Sequence, residues 1–172
     1  GEDAQRAATM TAALTRYLRQ AIPDMRGESS TLGRELELAR AYLEIMTIRM
    51  ERRLAYSVEA PAGLASLPFP PLLLATLVEN AIRHGIEPKP GGGRVDVRAF
   101  AIDRRLIVEV ADTGAGFATE SGSGVGLANT RERLAALYGD AAGLELEANE
   151  PSGVVARVWI PLAQHDADRA DR

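Results

Sequence analysis

The chain has 172 residues, 46% of them hydrophobic and 26% charged, enough for one substantial core or for a compact domain with a helical appendage. Its net charge of −4 comes without a basic stripe or an aromatic-basic run, which leaves no electrostatic case for nucleic acid as a partner. Cysteine is absent, so disulfide scaffolds and thiolate metal sites are excluded, and no apolar run approaches the roughly 20 residues that span a bilayer.

The start of the chain is polar and acidic, unlike a signal peptide, and Gly1 in place of Met reads as the processed or engineered start of a fragment. Ala4 to Ile22 is rich in Ala, Leu, Arg and Gln and predicts a helix that Pro23 ends. Met25 to Thr31 is a polar connector. Leu32 to Leu54 predicts a second helix, with Leu36, Ala39, Leu43, Met46 and Met50 at three- or four-residue spacing. Tyr42, Ile45 and Ile48 widen its apolar face and imply contact on two sides, so the pair reads as a helical hairpin. Ala55 to Glu59 is a short strand, followed by a proline-punctuated loop from Pro61 to Pro71.

Leu72 to His84 predicts a helix made apolar on one side by Leu73, Leu74, Leu77, Val78 and Ala81, and Pro88 to Gly93 forces a loop. Arg94 to Ile102 turns Val95, Val97, Ala99 and Ala101 inward, and Leu106, Val108 and Val110 supply an antiparallel partner beyond a turn at Asp103 and Arg104. A glycine-rich loop from Asp112 to Gly126 leads into a helix from Leu127 to Tyr138, and Leu144 to Ala148 and Val154 to Ile160 give the last strands. Helices and strands come in runs, which predicts an α+β sandwich with one mixed sheet and helices on one face. Residues 164–172 read as a polar tail.

Three segments break local rules. In Leu77-Val78-Glu79-Asn80-Ala81-Ile82-Arg83-His84-Gly85, an Asn sits in mid-helix, where it is disfavoured, with a Glu beside it against an apolar face. A Glu79–Arg83 surface pair would account for part of this. The alternative is a hard-oxygen site, since an Asn carbonyl oxygen can ligate Mg²⁺ and a neighbouring Glu can orient or deprotonate a hydroxyl or water. In Val110-Ala111-Asp112-Thr113-Gly114-Ala115-Gly116-Phe117 a strand ends in a carboxylate followed by alternate glycines. Such a carboxylate can accept the exocyclic amine of adenine, and the glycines let backbone approach the ring. In Gly122-Ser123-Gly124-Val125-Gly126-Leu127 alternate glycines run straight into a helix, a backbone nest and positive dipole end suited to a polyphosphate. Its spacing matches neither the P-loop nor the dinucleotide-binding fingerprint.

In this order the three segments resemble the N, G1 and G2 boxes of the GHKL superfamily of ATPases and kinases. Within it the chain is similar to the LytS-like branch of sensor histidine kinases, through Arg16-Tyr17-Leu18-Arg19, through Leu36 to Ile45 (LELARAYLEI), and through Gly126 to Leu134 (GLANTRERL). The resemblance implies a Bergerat fold, a two-layer α/β sandwich preceded by the helical hairpin. It also implies a division into 1–54, the end of a dimerisation and phosphotransfer region, 55–163, the ATP-binding domain, and 164–172, the tail.

By the same resemblance, Asn80 is the Mg²⁺ ligand and Glu79 the polar catalytic group near the γ-phosphate of ATP. Asp112 takes the adenine amino group, with Gly114 and Gly116 shaping its pocket. Gly122, Gly124 and Gly126 form a lid over the phosphates, with Leu127 and Asn129 after them. Of Arg131 and Arg133, one reaches phosphate and the other pairs with Glu132 or Asp140. Lys89 is a further phosphate candidate, and His84 is either a part of the site or a helix C-cap before Gly85.

The implied reaction moves the γ-phosphoryl group of ATP onto a histidine, and the implied partners are ATP or ADP, the acceptor histidine, a response regulator and a second kinase subunit. The implied location is cytoplasmic, in a parent protein anchored in the inner membrane. The family's acceptor lies in a P-H-F-x-F-N segment before the first helix. Here the two histidines are His84, inside the first box, and His165, in the tail, so the acceptor must come from outside these residues. A second departure is Val154 after Gly153, where relatives often carry Thr. The rival reading is a GHKL ATP-binding switch module or an anti-sigma-type serine kinase, against which the two flanking-helix stretches argue.

Overall fold

The apolar positions of the sequence dictate where each element sits, and a computed structural model describes residues 2–26, 29–117 and 124–163. Helix α1 (Glu2–Arg26) is followed by β1 (Ser30–Thr31) and α2 (Leu32–Met50). A 3₁₀ turn (Glu51–Arg53) then leads to β2 (Leu54–Glu59). After a second 3₁₀ turn come β3 (Pro68–Phe69), α3 (Leu73–Asn80) and a turn of π-helix (Ala81–Ile86). The remaining elements are β4 (Gly93–Ile102), β5 (Arg105–Asp112), α4 (Gly124–Tyr138), β6 (Gly143–Ala148) and β7 (Val154–Pro161).

The main sheet is mixed and five-stranded, in the order β2-β4-β5-β7-β6, with β2 and β4 parallel and the other pairs antiparallel. Strands β4 and β5 join through Asp103 and Arg104, both at positive φ (49° and 59°), the twist a two-residue hairpin requires. Val95, Val97 and Ala99 are buried together with Leu106, Val108 and Val110, as the alternation predicts. The opposite face carries charged pairs such as Arg157–Glu109, and Trp159, whose ring lies against the backbone of Gly143.

Helix α2 shares this core. Its Leu36, Ala39, Leu43, Met46 and Met50 pack in one cluster with Leu74, Leu77 and Val78 of α3 and with the buried strand residues. On its other flank Tyr42 meets Tyr17 of α1, ring centroids 6.0 Å apart, so the two-sided contact expected of α2 is present. Thr31 caps α2, its hydroxyl accepting the Arg34 N–H at 3.4 Å. Among the described residues no helix is long and apolar enough to cross a membrane.

Four boundaries differ from expectation. Helix α1 continues through Pro23 to Arg26, carrying the loss of one N–H rung close to its end. The connector contributes β1, which pairs with β3. Helix α2 stops at Met50, where Glu51 takes φ 55°, and Leu54 already belongs to β2. The first-box helix stops being α-helical at Asn80, and its last residues form the wider π-turn. The expected tail, 164–172, lies outside the described residues.

Because α2 and the sheet share one core, Leu43→Ala should lower stability by about 2–5 kcal/mol. It should shift the urea midpoint read by Trp159, the one tryptophan. An unchanged Trp159 midpoint would mean that α2 is a satellite of the core.

Candidate functional site

One cleft gathers parts of all three glycine- or asparagine-marked segments. It has about 660 Å³ of free space, part of it open to solvent, bounded by the π-turn, the end of β5, the start of α4 and the facing strands β6 and β7. Apolar side chains such as Leu77, Val110, Leu127, Leu146 and Ala156 form most of its wall, and Asn80, His84 and Asp112 are its polar side chains.

The π-turn gives the cleft its shape. It closes through an i to i+5 bond, Glu87 N–H to Ile82 O at 2.9 Å, and Asn80, Ala81, His84 and Gly85 all line the same opening. His84 lies in the last turn of this segment, and the C-cap position falls to Glu87, which corrects the C-cap reading. Turns of this kind occur often at functional sites.

Asp112 ends β5 and is only 4% exposed. Backbone crowds it from three sides. A Cβ on Gly85 would lie 2.5 Å from its Oδ1, and one on Gly114 would lie 2.2 Å from the Gly85 backbone. A Cβ on Gly153 would lie 1.9 Å from its main-chain oxygen. Gly114 N–H donates to Asp112 Oδ1 at 2.8 Å, Ala115 N–H donates to Gly85 O at 2.9 Å, and Asn149 Nδ2 donates to Asp112 O at 2.7 Å. Burial raises the Asp112 carboxyl above its usual range, opposed by hydrogen bonds from the Gly114 and Val154 backbone and by the charge of Lys89.

Asn80 is aimed at the start of α4: a Cβ on Gly126 would sit 3.9 Å from its Nδ2 and 4.0 Å from its Oδ1. That Nδ2 is buried with no hydrogen-bond partner among the described residues, a cost of about 1–3 kcal/mol that a bound polar ligand would remove. Among the described residues no group of three or more His, Asp and Glu side chains is placed to hold a metal ion. A cation here must take most of its ligands from elsewhere.

The other expected site residues are distributed as follows. Gly116, at φ 80°, and Leu127 line the cleft, and Gly124 begins α4. Gly122 lies outside the described residues. Asn129 is exposed on α4, away from the cleft wall. Glu79 is also exposed and absent from that wall, and its charge acts on Tyr17 and Tyr42 of the helical pair. Burial and, after it, Glu79 push Tyr42 up to about 12.

Lys89 is not free for phosphate. Its Nζ donates to Thr113 O at 2.6 Å and to Ser152 Oγ at 3.3 Å, on the Asp112 side. Of the two arginines, one expected on phosphate and the other on Glu132 or Asp140, both donate to carbonyls, Arg131 to Leu144 O at 3.4 Å and Arg133 to Pro71 O at 2.5 Å. Sequence reasoning also passed over Gly85 and Asn149 as supports of Asp112. Gly85 carried a signal, a glycine within an apolar helical run, whereas Asn149 in a turn carried none.

The sequence model described as "Histidine kinase-, DNA gyrase B-, and HSP90-like ATPase" matches residues 70–164, more than half of the chain. The chain belongs to this ATPase family. Residues 1–54 match the model described as "Histidine kinase". The sensor protein LytS of Staphylococcus haemolyticus is 29% identical over 172 residues, covering 92% of this chain and 29% of that protein. The sensor histidine kinase BtsS of Escherichia coli is 30% identical over 165 residues, covering 95% of this chain and 29% of that protein. The chain thus spans about three-tenths of the length of these relatives. The histidine kinase domain of the blue-light activated kinase from Erythrobacter litoralis EL346 has the same fold, with TM-score 0.60 at 20% identity over 97% of this chain and 79% of that one. The α+β sandwich expected from the sequence is therefore present, in a chain of this ATPase family, as the fold that it shares with that kinase domain.

Asp112 also gives the site a stability signature. Its raised carboxyl means that the charged form costs stability above its folded-state titration, and that this cost disappears as pH falls below the ordinary carboxylate range near 4. Asp112→Asn should therefore melt at an equal or higher temperature than the native protein at pH 7, with the advantage shrinking toward pH 4. A native protein that is the more stable of the two at pH 7 would show that the charge is well compensated.

Proposed function

We propose that the chain is the ATP-handling part of a sensor histidine kinase, residues 55–163 binding Mg-ATP and residues 1–54 ending the dimerisation and phosphotransfer region. The observation that carries this reading is the single cleft in which the buried Asp112 and the unpartnered amide of Asn80 meet the glycine-led start of α4. Asp112 accepts the adenine amino group, and Gly85 and Gly114 allow the base to approach. The first backbone N–H groups and positive dipole end of α4, which begins at Gly124, serve the phosphates, with Leu127 in the cleft wall.

Asn80 fits a hard cation that arrives with the nucleotide, since its side-chain oxygen supplies one ligand and phosphate oxygens and water the others. When bound beside Asn80, Mg²⁺ would supply positive charge to offset that of the phosphates. The γ-phosphorus bond to the ADP oxygen breaks as a bond to an imidazole nitrogen forms, and the protein contributes mainly position and charge. In this reading Glu79, exposed beside Asn80, orients the acceptor imidazole.

The acceptor histidine, a response regulator as the next recipient and a second kinase subunit belong to the same proposal, as does a membrane-anchored parent with its catalytic part in the cytoplasm. The match of residues 1–54 to the histidine kinase model favours this reading over an ATP-binding switch module or an anti-sigma-type serine kinase.

Calorimetry with Mg-ATP should give a dissociation constant in the micromolar-to-millimolar range usual for substrates. Asp112→Ala should weaken binding by about 10- to 100-fold, the worth of a hydrogen bond to a charged group. No heat of binding with the folded native chain would sink the proposal. For the metal, Asn80→Ala should abolish the gain in ATP affinity on adding Mg²⁺, along with transfer to a separately supplied acceptor helix. An intact Mg²⁺ response in that variant would refute the role given to Asn80.

A further inference from the structure

Lys89 lies outside the three motifs, yet its ammonium is fixed behind the buried carboxylate of the cleft. It donates to Thr113 O at 2.6 Å and to Ser152 Oγ at 3.3 Å, and Ser152 Oγ donates to the same carbonyl at 3.3 Å. The peptide group that carries Thr113 C=O also carries Gly114 N–H, which donates to Asp112 Oδ1 at 2.8 Å. The chain of contacts therefore runs from ammonium to carbonyl, through one peptide group, to N–H and carboxylate. Hydrogen bonds in series polarise one another, so a cation on the carbonyl end strengthens the donor at the other end.

Packing alone does not require this lysine side chain. The Lys89 backbone is already held by Ile86 O, by Gly92 N–H and by Arg53, whose guanidinium donates to Lys89 O at 2.9 Å. The charged and titratable neighbours of Asp112 are few. His84 lines the cleft from the π-turn, Arg94 and Asp96 pair with each other on β4 at 2.7 Å, and Glu150 is exposed in the loop before Gly153. Of these groups and Lys89, it is Lys89 whose charge acts to lower the Asp112 carboxyl.

We propose that Lys89 is a positioning residue for purine recognition, holding Asp112 through the Thr113–Gly114 peptide in the acceptor-only form that an adenine amino group needs. The inference rests on the reading of the cleft as an adenine site. A protonated Asp112 would present a donor toward the amine and lose selectivity for it.

The test is the affinity for ADP, with GDP as comparator, measured from pH 5 to pH 9 in the native chain, Lys89→Met and Lys89→Arg. Losing the cation raises the Asp112 carboxyl further, so the acidic loss of ADP affinity in Lys89→Met should begin at higher pH. Near pH 9 its affinity should return to within about twofold of native, because the carboxylate is ionised in both proteins. Lys89→Arg should keep the native profile and the preference for ADP over GDP. The three proteins differ at residue 89 alone, so the difference between profiles isolates Lys89. A uniform weakening at every pH in Lys89→Met would assign the lysine to loop structure and overturn the proposal, as would superimposable profiles. Absence of ADP binding by the native chain would instead remove the adenine reading itself.

Discussion

A carboxylate buried at the end of a strand is the constraint around which this site is arranged. Asp112 has lost most of its water, and that loss must be offset by donors and by positive charge. The donors to its carboxylate come from backbone, at Gly114 and Val154. Close approach in turn excludes side chains at Gly85 and Gly114, which is why the first and second boxes each carry a glycine facing the other. The two motifs are separate in sequence and one object in space. The offset is incomplete, and the carboxyl stays raised. A residual cost of that kind is characteristic of binding sites, where an acceptor is kept for a ligand and not fully spent on the protein.

The second constraint is the single core. Helix α2 buries the same kind of face against α3 as the strands bury beneath it, so the helical segment and the ATP-binding layer are mechanically continuous. Two contacts make the continuity specific at the start of α3. Glu35 of α2, fully buried, accepts the Leu72 N–H at 3.0 Å, and Arg133 of α4 donates to the neighbouring Pro71 carbonyl. Pro70 and Pro71 have no N–H of their own, so Leu72, at φ 61°, offers the first main-chain donor in that turn. The first-box helix is thus held at its beginning by its neighbours on both sides.

Much of this was legible in the sequence where periodicity or motif order carried it. Alternation in β4 and β5 marked the core face, three- and four-residue spacing marked the buried stripe of α2, and the order of the boxes marked the cleft. What was illegible depended on contacts distant along the chain. Glu35 reads as an ordinary charged position on a helix until the prolines of a later loop are brought against it. Lys89 reads as a loop lysine open to phosphate, and nothing in its neighbourhood announces Thr113 and Ser152. Arg133 sits beside Glu132 and within reach of Asp140 along the chain, yet a carbonyl from another element takes it. Pro23 shows the converse limit, since a local rule was overruled at a position where one lost rung costs little.

The π-turn after Asn80 also constrains the length of its segment. Up to Asn80 the residues keep α-helical phase and serve the core, with Leu73, Leu74, Leu77 and Val78 inward. From Ala81 onward the wider winding re-phases the chain so that Gly85 meets Asp112 while Ile82 and Ile86 remain buried. Removing one residue between Ala81 and Ile86 would allow ordinary winding, yet it would turn Gly85 off the carboxylate and carry His84 out of the cleft. Exposed Arg83 can be exchanged there, whereas Gly85 and the number of residues are held by the contact with Asp112.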